Sequence, residues 1–242
     1  MPPAHRADAR TTGLSTGSSK NFSERPDGVR HRAPAGAYGE GMTRAHGSVP
    51  WWGVLTSALA PVALIGGWTV AAGRRTDGYD PGVDTISALA AVGAPDRWVM
   101  TSALAVLGVC HLGTAVALRT AAAPGRLVLA AGGLATVGVA LAPLPTAGGS
   151  PAHTATAAAA FGALALWPAL AAVGGAERHD AVPAALRPPV AVPAGLALGG
   201  LVAWFAVELA VDGRVGLAER VAAGAQALWP LAVVLSGRVR AG

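Results

Sequence analysis

From residue 51 onward, apolar runs of roughly 20 residues alternate with short breaks carrying charge, proline or glycine. Six such runs stand out, at about 51–73, 98–118, 127–144, 152–174, 190–211 and 216–236. Each is near the length an α-helix needs to cross a bilayer core, and none alternates with a period of two, so barrel strands are excluded. The pattern predicts an all-α membrane protein, a bundle of six transmembrane helices. The break between the first two runs, residues 78–89, reads as a turn feeding a short extracytoplasmic helix. Asp84 is placed as its N-cap, Ser87 at N3, and Ile86, Leu89 and Ala90 form an apolar face.

Residues 1–49 differ in kind. They hold seven Lys or Arg and four Asp or Glu among Gly, Ser, Thr and Pro, without periodicity. Such a segment buries too little to repay its ordering entropy and is expected to be a disordered cytoplasmic tail. It lacks the apolar core of a secretory signal. A translation start at Met42 is the alternative reading of this stretch. Residues 50–238 make the transmembrane domain and 239–242 a short cytoplasmic end.

Composition agrees: 52% of the residues are hydrophobic and 13% charged, and the mean hydropathy is +0.47, too apolar for an ordinary soluble domain. A lone cysteine, Cys110, excludes an intramolecular disulfide and a cysteine-built zinc site. The net charge of +5 reports topology and not a nucleic-acid partner. Thirteen of the eighteen Lys and Arg fall on the side of the N-terminal tail and five on the other. Positive charge stays inside, so both termini are expected in the cytoplasm of a bacterial cell and the protein in its cytoplasmic membrane.

Charges within spans are costly and seldom idle. With that topology, Asp84, His153, Glu208, Glu219 and Arg220 all fall near the outer leaflet, and Gln226 shares the face of Glu219 two turns deeper. They are the candidates for an outer-leaflet polar pocket; the plainer alternative is loop or snorkelling charge satisfied by water and by one another. His111 lies about thirteen residues into its span, roughly 20 Å down by helical rise, and needs a partner inside the bundle, with Thr114 one turn away. Small residues at Gly132-Gly133, at Ala158 and Gly162 and at Gly195 and Gly199 signal close helix contacts, and Ala-Leu-Trp-Pro at 165–168 and 227–230 predicts kinks at Pro168 and Pro230.

Familiar chemistries do not fit. Paired histidines at matching depth for haem are missing, the histidines are too few for zinc, and no H-E-x-x-H, G-x-S-x-G or phosphate-binding glycine loop occurs. No metal or cofactor is expected, and no catalytic residue is assigned. Ser150 beside His153 is only a weak hint of an activated serine.

The ordered run Tyr79-Asp80-Pro81 with Asp84-Thr85-Ile86-Ser87-Ala88-Leu89, His111, Pro143-Leu144-Pro145 with Ser150-Pro151-Ala152-His153, then Glu208-Leu209 and Gly216-Leu217-Ala218-Glu219-Arg220, resembles the domain of unknown function 998 family. The resemblance covers about residues 50–238. It implies a six-span bacterial membrane protein and supplies no substrate or catalytic residues. Three functions stay open: binding or transport of a small ion, proton or lipid headgroup; membrane-embedded lipid hydrolysis with His153 or a carboxylate as base; and a structural accessory role. The expected partners are the bilayer and a small ligand or lipid, not nucleic acid, and the oligomeric state stays open.

The charge bias makes a direct prediction. On a Cys110→Ala background, Gly148→Cys is expected to react with an impermeant thiol reagent added outside intact cells, and Ala122→Cys only after the inner face is exposed. The reverse pattern would invert the topology.

Overall fold

The computed structural model describes residues 49–175 and 182–238. The tail expected over 1–49, except Val49, lies outside the described residues, as does the end at 239–242. Among the described residues the chain is all-helical, with seven α-helices and no strand: α1 Trp51–Gly73, α2 Ile86–Leu89, α3 Arg97–Ala117, α4 Ala123–Leu141, α5 Pro151–Leu170, α6 Pro188–Ala210 and α7 Val215–Arg238. A 3₁₀ turn, Ala184–Leu186, precedes α6. The six long helices fall on the six apolar runs, with ends shifted by a few residues. Prolines in the first turns of α4, α5 and α6 suit positions whose N–H has no helical acceptor. Ser150 caps α5, its hydroxyl accepting from the His153 N–H at 3.2 Å, so the Ser150 and His153 pair is a helix start. Both α5 and α7 continue through Pro168 and Pro230.

Packing follows chain order: α1 lies on α3, α3 on α4, α4 on α5, α5 on α6, α6 on α7, and α7 returns to α1. α2 rests on α1, α3 and α7 at the end where α3 and α7 begin. There, Leu64, Ile86, Leu89, Met100 and Leu104 form one core. At the opposite end Leu118, Leu129, Trp167, Leu186 and Val233 form another, which also takes in Val49.

Helices α3 and α4 meet backbone to backbone. A Cβ built on Gly108 would come 2.6 Å from the Gly133 carbonyl oxygen, and one on Gly133 would come 2.7 Å from the Gly108 oxygen. Glycine at both positions lets the two backbones touch. Gly195 faces Ala169 of α5, but nothing lies within 4 Å of a Cβ at Gly199 or Gly162. Among the described residues, Gly199 and Gly162 therefore make no close helix contact of the kind expected.

The outer surface of the bundle is apolar. Leu127, Leu134, Leu141, Leu166 and Leu196 are all more than half exposed, and α6 buries only Ala191 and Leu198. Four helices, α1, α3, α4 and α6, are long and apolar enough to cross a membrane. In α5 and α7 alanine, threonine and polar side chains lower the hydropathy, and His153, Glu219 and Gln226 are buried rather than turned outward.

Gly133→Val should force α3 and α4 apart and destabilise the fold by about 1–3 kcal/mol, as overpacking does. Gly162→Ala, in open space, should be neutral or stabilise by about 0.5–1 kcal/mol through helix propensity. Thermal unfolding in detergent measures both; equal melting temperatures would contradict the α3 and α4 contact.

Candidate functional site

The connection from α1 to α2 is built by its own polar side chains. Arg75 grips Asp77 with Nε and Nη2, each at 2.8 Å, and that hydrogen bond holds the Asp77 carboxyl below its usual range. The Asp84 carboxylate accepts from the Asp80 N–H at 2.8 Å. It is therefore turned into the preceding turn and does not cap α2, contrary to the sequence expectation. Thr85 is the cap: its backbone is extended and its hydroxyl accepts from the Ala88 N–H at 3.1 Å. The register moves by one, and Ser87 stands at N2.

Arg220, in the second turn of α7, locks this connection to the bundle. Its Nη1 donates to the carbonyls of Pro81 at 2.8 Å, Asp84 at 2.9 Å and Gly216 at 2.9 Å. Its Nη2 donates to the Tyr79 hydroxyl. That hydroxyl in turn donates to the Thr85 carbonyl at 3.0 Å. Burial pushes the Tyr79 phenol above its ordinary range despite the neighbouring guanidinium. Arg220 thus meets backbone oxygens and a phenol, not the carboxylates of Asp84, Glu208 or Asp212.

Glu219 points the other way, because adjacent helical residues diverge by about 100°. It is 5% exposed, and its Oε2 accepts from the Ile86 N–H at 2.5 Å, satisfying a donor that the first turn of α2 leaves without a helical acceptor. The Ser87 side chain is a neighbour of the carboxylate. Ser87 also meets His153 Nε2 at 3.0 Å, while His153 Nδ1 lies 2.8 Å from the Ala142 carbonyl. A carbonyl only accepts, so Nδ1 carries the hydrogen and Nε2 is left facing the hydroxyl. A chain of hydrogen bonds to neighbouring residues of α2, Ile86 for Glu219 and Ser87 for His153, links α7 to α5.

Beneath that chain lies a cavity of about 60 Å³, walled by α1, α3, α4, α5 and α7 and roofed by α2. Its polar lining is Ser87, Glu219, Gln226, Thr136 and His111. Gln226 donates from Nε2 to the Phe161 carbonyl at 2.9 Å. Thr136 donates to the Gly132 carbonyl at 2.8 Å. His111 is fully buried, and neither ring nitrogen has a hydrogen-bond partner among the described residues. Thr114, its expected partner, instead donates to the Cys110 carbonyl at 2.9 Å and meets the Thr56 hydroxyl at 3.1 Å.

Three of the seven candidates, Glu219, Gln226 and His111, thus line one cavity, and His153 joins it through Ser87. Asp84 and Arg220 hold the connection above. Glu208 lies apart, accepting from Trp204 Nε1 at 2.9 Å and from the Arg214 N–H at 2.6 Å in the turn from α6 to α7. Sequence reasoning missed Ser87 as a linker, Tyr79 as the partner of Arg220, and Thr136. Among the described residues, no three His, Cys, Asp or Glu side chains converge as metal ligands.

A family model described as a protein of unknown function, DUF998, matches residues 57–236. The chain belongs to this DUF998 family. The matched stretch includes every cavity residue named above. No curated protein and no solved structure matches the chain. Family membership and the exposed apolar helices together describe a membrane protein.

Because a lysine cannot reproduce four guanidinium contacts, Arg220→Lys should cost about 1–3 kcal/mol. The expected readouts are a lower melting temperature and faster proteolysis within residues 76–85; an unchanged protein would show that the Arg220 contacts do not hold this connection.

Proposed function

We propose that this DUF998 protein spans the bacterial cytoplasmic membrane six times with both termini inside, and that it binds a proton or a small cation at Glu219 near the outer leaflet. Six spans are supported by the ring itself. α5 and α7 run beside four strongly apolar helices, keep their polar groups inward, and turn Leu166, Leu170, Val221, Leu228 and Leu235 outward. The arginine bias supports the orientation. On that orientation α2 is extracytoplasmic and roofs the cavity from the outside.

One observation carries the binding reading: Glu219 is buried against a cavity in an apolar bundle, and among the described residues no cationic side chain forms an ion pair with it, Arg220 acting on it only at longer range. The ion pairs among the described residues are Arg74 with Asp96 and Arg75 with Asp77. Arg220 is turned away to Tyr79 and the loop carbonyls. A carboxylate in such a place must take up a proton or a counter-ion.

Size argues against the lipid readings. The cavity, of about 60 Å³, has room for about four to six waters, too little for a lipid headgroup or a lipid ester.

An apolar carbodiimide, which modifies protonated carboxyls reached from the lipid phase, tests this. Peptide mass spectrometry is expected to find the adduct on Glu219, to lose it in Glu219→Gln, and to keep it in Asp77→Asn. A proton or cation site also predicts slower labelling at high pH or with excess small cation. Absence of the Glu219 adduct would remove the basis of the proposal.

A further inference from the structure

His111 is fully buried, and neither nitrogen of its ring meets a hydrogen-bond partner among the described residues. An imidazole carries at least one donor and, when neutral, one acceptor, and buried polar groups are satisfied either by protein or by ordered water. The donors that share its helix or its cavity are engaged elsewhere: the Thr114 hydroxyl with the Cys110 carbonyl, the Thr136 hydroxyl with the Gly132 carbonyl, and the Gln226 amide nitrogen with the Phe161 carbonyl. His111 itself lines the cavity, so its partner belongs in the cavity.

The rest of the polar lining narrows what that partner can be. A hydroxyl that donates one hydrogen bond still accepts, so Thr136 and Ser87 remain acceptors, as do the carboxyl of Glu219 and the side-chain carbonyl of Gln226. The lining is therefore rich in acceptors, while His111 asks for a donor and an acceptor together. A metal cation cannot accept from the imidazole N–H, and among the described residues no three His, Cys, Asp or Glu side chains converge to hold one. An anion would face the Glu219 carboxyl. Water both donates twice and accepts twice, and a polar site with room for it is where buried water is found. A cluster of waters that fills one continuous space touches each of its walls, so His111 and Glu219 need not lie within reach of a single molecule.

We propose that this cavity is an internal water site, holding a cluster of about four to six waters anchored on His111. One water donates to the bare nitrogen of the imidazole, another accepts from its N–H, and the cluster gives its remaining hydrogens to the acceptors of the lining. Leu64, Leu104, Leu107 and Val139 wall it with hydrocarbon, which leaves the polar groups to position the waters. This goes beyond the reading of Glu219 and does not need it, since the same waters serve a carboxyl that holds a proton and one that holds a small cation.

Pulsed X-ray radiolysis of the full-length protein in detergent, followed by peptide mass spectrometry, tests this, because hydroxyl radicals made from a bound water oxidise the side chains beside it. Leu64 lines the cavity, whereas Leu118 and Leu129 belong to the core at the opposite end. All three are leucines no more than 1% exposed, so they differ in the cavity and not in reactivity or access to bulk solvent. His111 and Leu64 are expected to be oxidised severalfold faster than Leu118 and Leu129. Equal protection of all four would mean a dry cavity and would overturn the inference. His111→Leu should lower the oxidation of Leu64 severalfold, while His111→Gln, which keeps a donor and an acceptor, should retain most of it. Undiminished oxidation of Leu64 in His111→Leu would overturn the anchoring role of His111, and if that variant does not fold, the comparison within the unmodified protein still decides whether the cavity is wet. Carbodiimide labelling of the same preparation keeps the two readings apart. A Glu219 adduct with Leu64 and His111 protected leaves the Glu219 site standing and removes the water site; no adduct with both residues oxidised does the reverse.

Discussion

Hydrocarbon offers no hydrogen-bond partner, and that constraint organises this protein. Every backbone N–H and C=O within the slab must be satisfied by the chain itself, which leaves helices as the form available to runs of this length. Polar side chains must then face one another, a carbonyl or an enclosed space. Glu219, Gln226, His153 and His111 all turn inward, and leucine and valine remain outside. The cavity is therefore where the unpaired polarity of five helices collects.

Two neighbouring residues divide the work at the α2 end of the bundle. Glu219 and Arg220 could be taken for an ion pair by adjacency, yet the helix points them about 100° apart. Arg220 reaches over the end of the bundle and gathers the carbonyls of Pro81, Asp84 and Gly216. Glu219 reaches inward to the Ile86 N–H. Together they pin α2 to α7, and α2 can then present Ser87 to His153. The short helix has few contacts of its own, so its position depends on these long-range bonds.

Contact at the glycines and space at the cavity belong together. Where Gly108 meets Gly133, α3 and α4 meet backbone to backbone. One turn along, His111 and Thr136 line the open volume. Thr114 and Thr136 each return a hydroxyl to the carbonyl four residues earlier, a self-contained arrangement that suits an apolar interior and leaves His111 unserved. The same helix pair therefore carries the imidazole that has no partner among the described residues.

Much of this was legible in the sequence. Runs of about 20 apolar residues set the six long helices, because length and hydropathy are local properties. The face shared by Glu219 and Gln226 follows from helical period alone, and Gly132-Gly133 announced a close contact. What the chain alone could not settle was which polar groups meet. Asp84 was a sound cap by type, but Thr85 took that place because the Asp84 carboxylate closes the preceding turn on Asp80. Glu208 shares a depth with Glu219, yet α6 lies on the outer side of the cavity and its carboxylate serves the turn into α7. Depth along a helix is written in residue number, whereas the direction a side chain faces across the bundle depends on how each helix is rotated against its neighbours. The packing of α1 to α7 sets that rotation, and with it decides that α2, through Ile86 and Ser87, joins Glu219 to His153 and that His111 meets a cavity rather than Thr114.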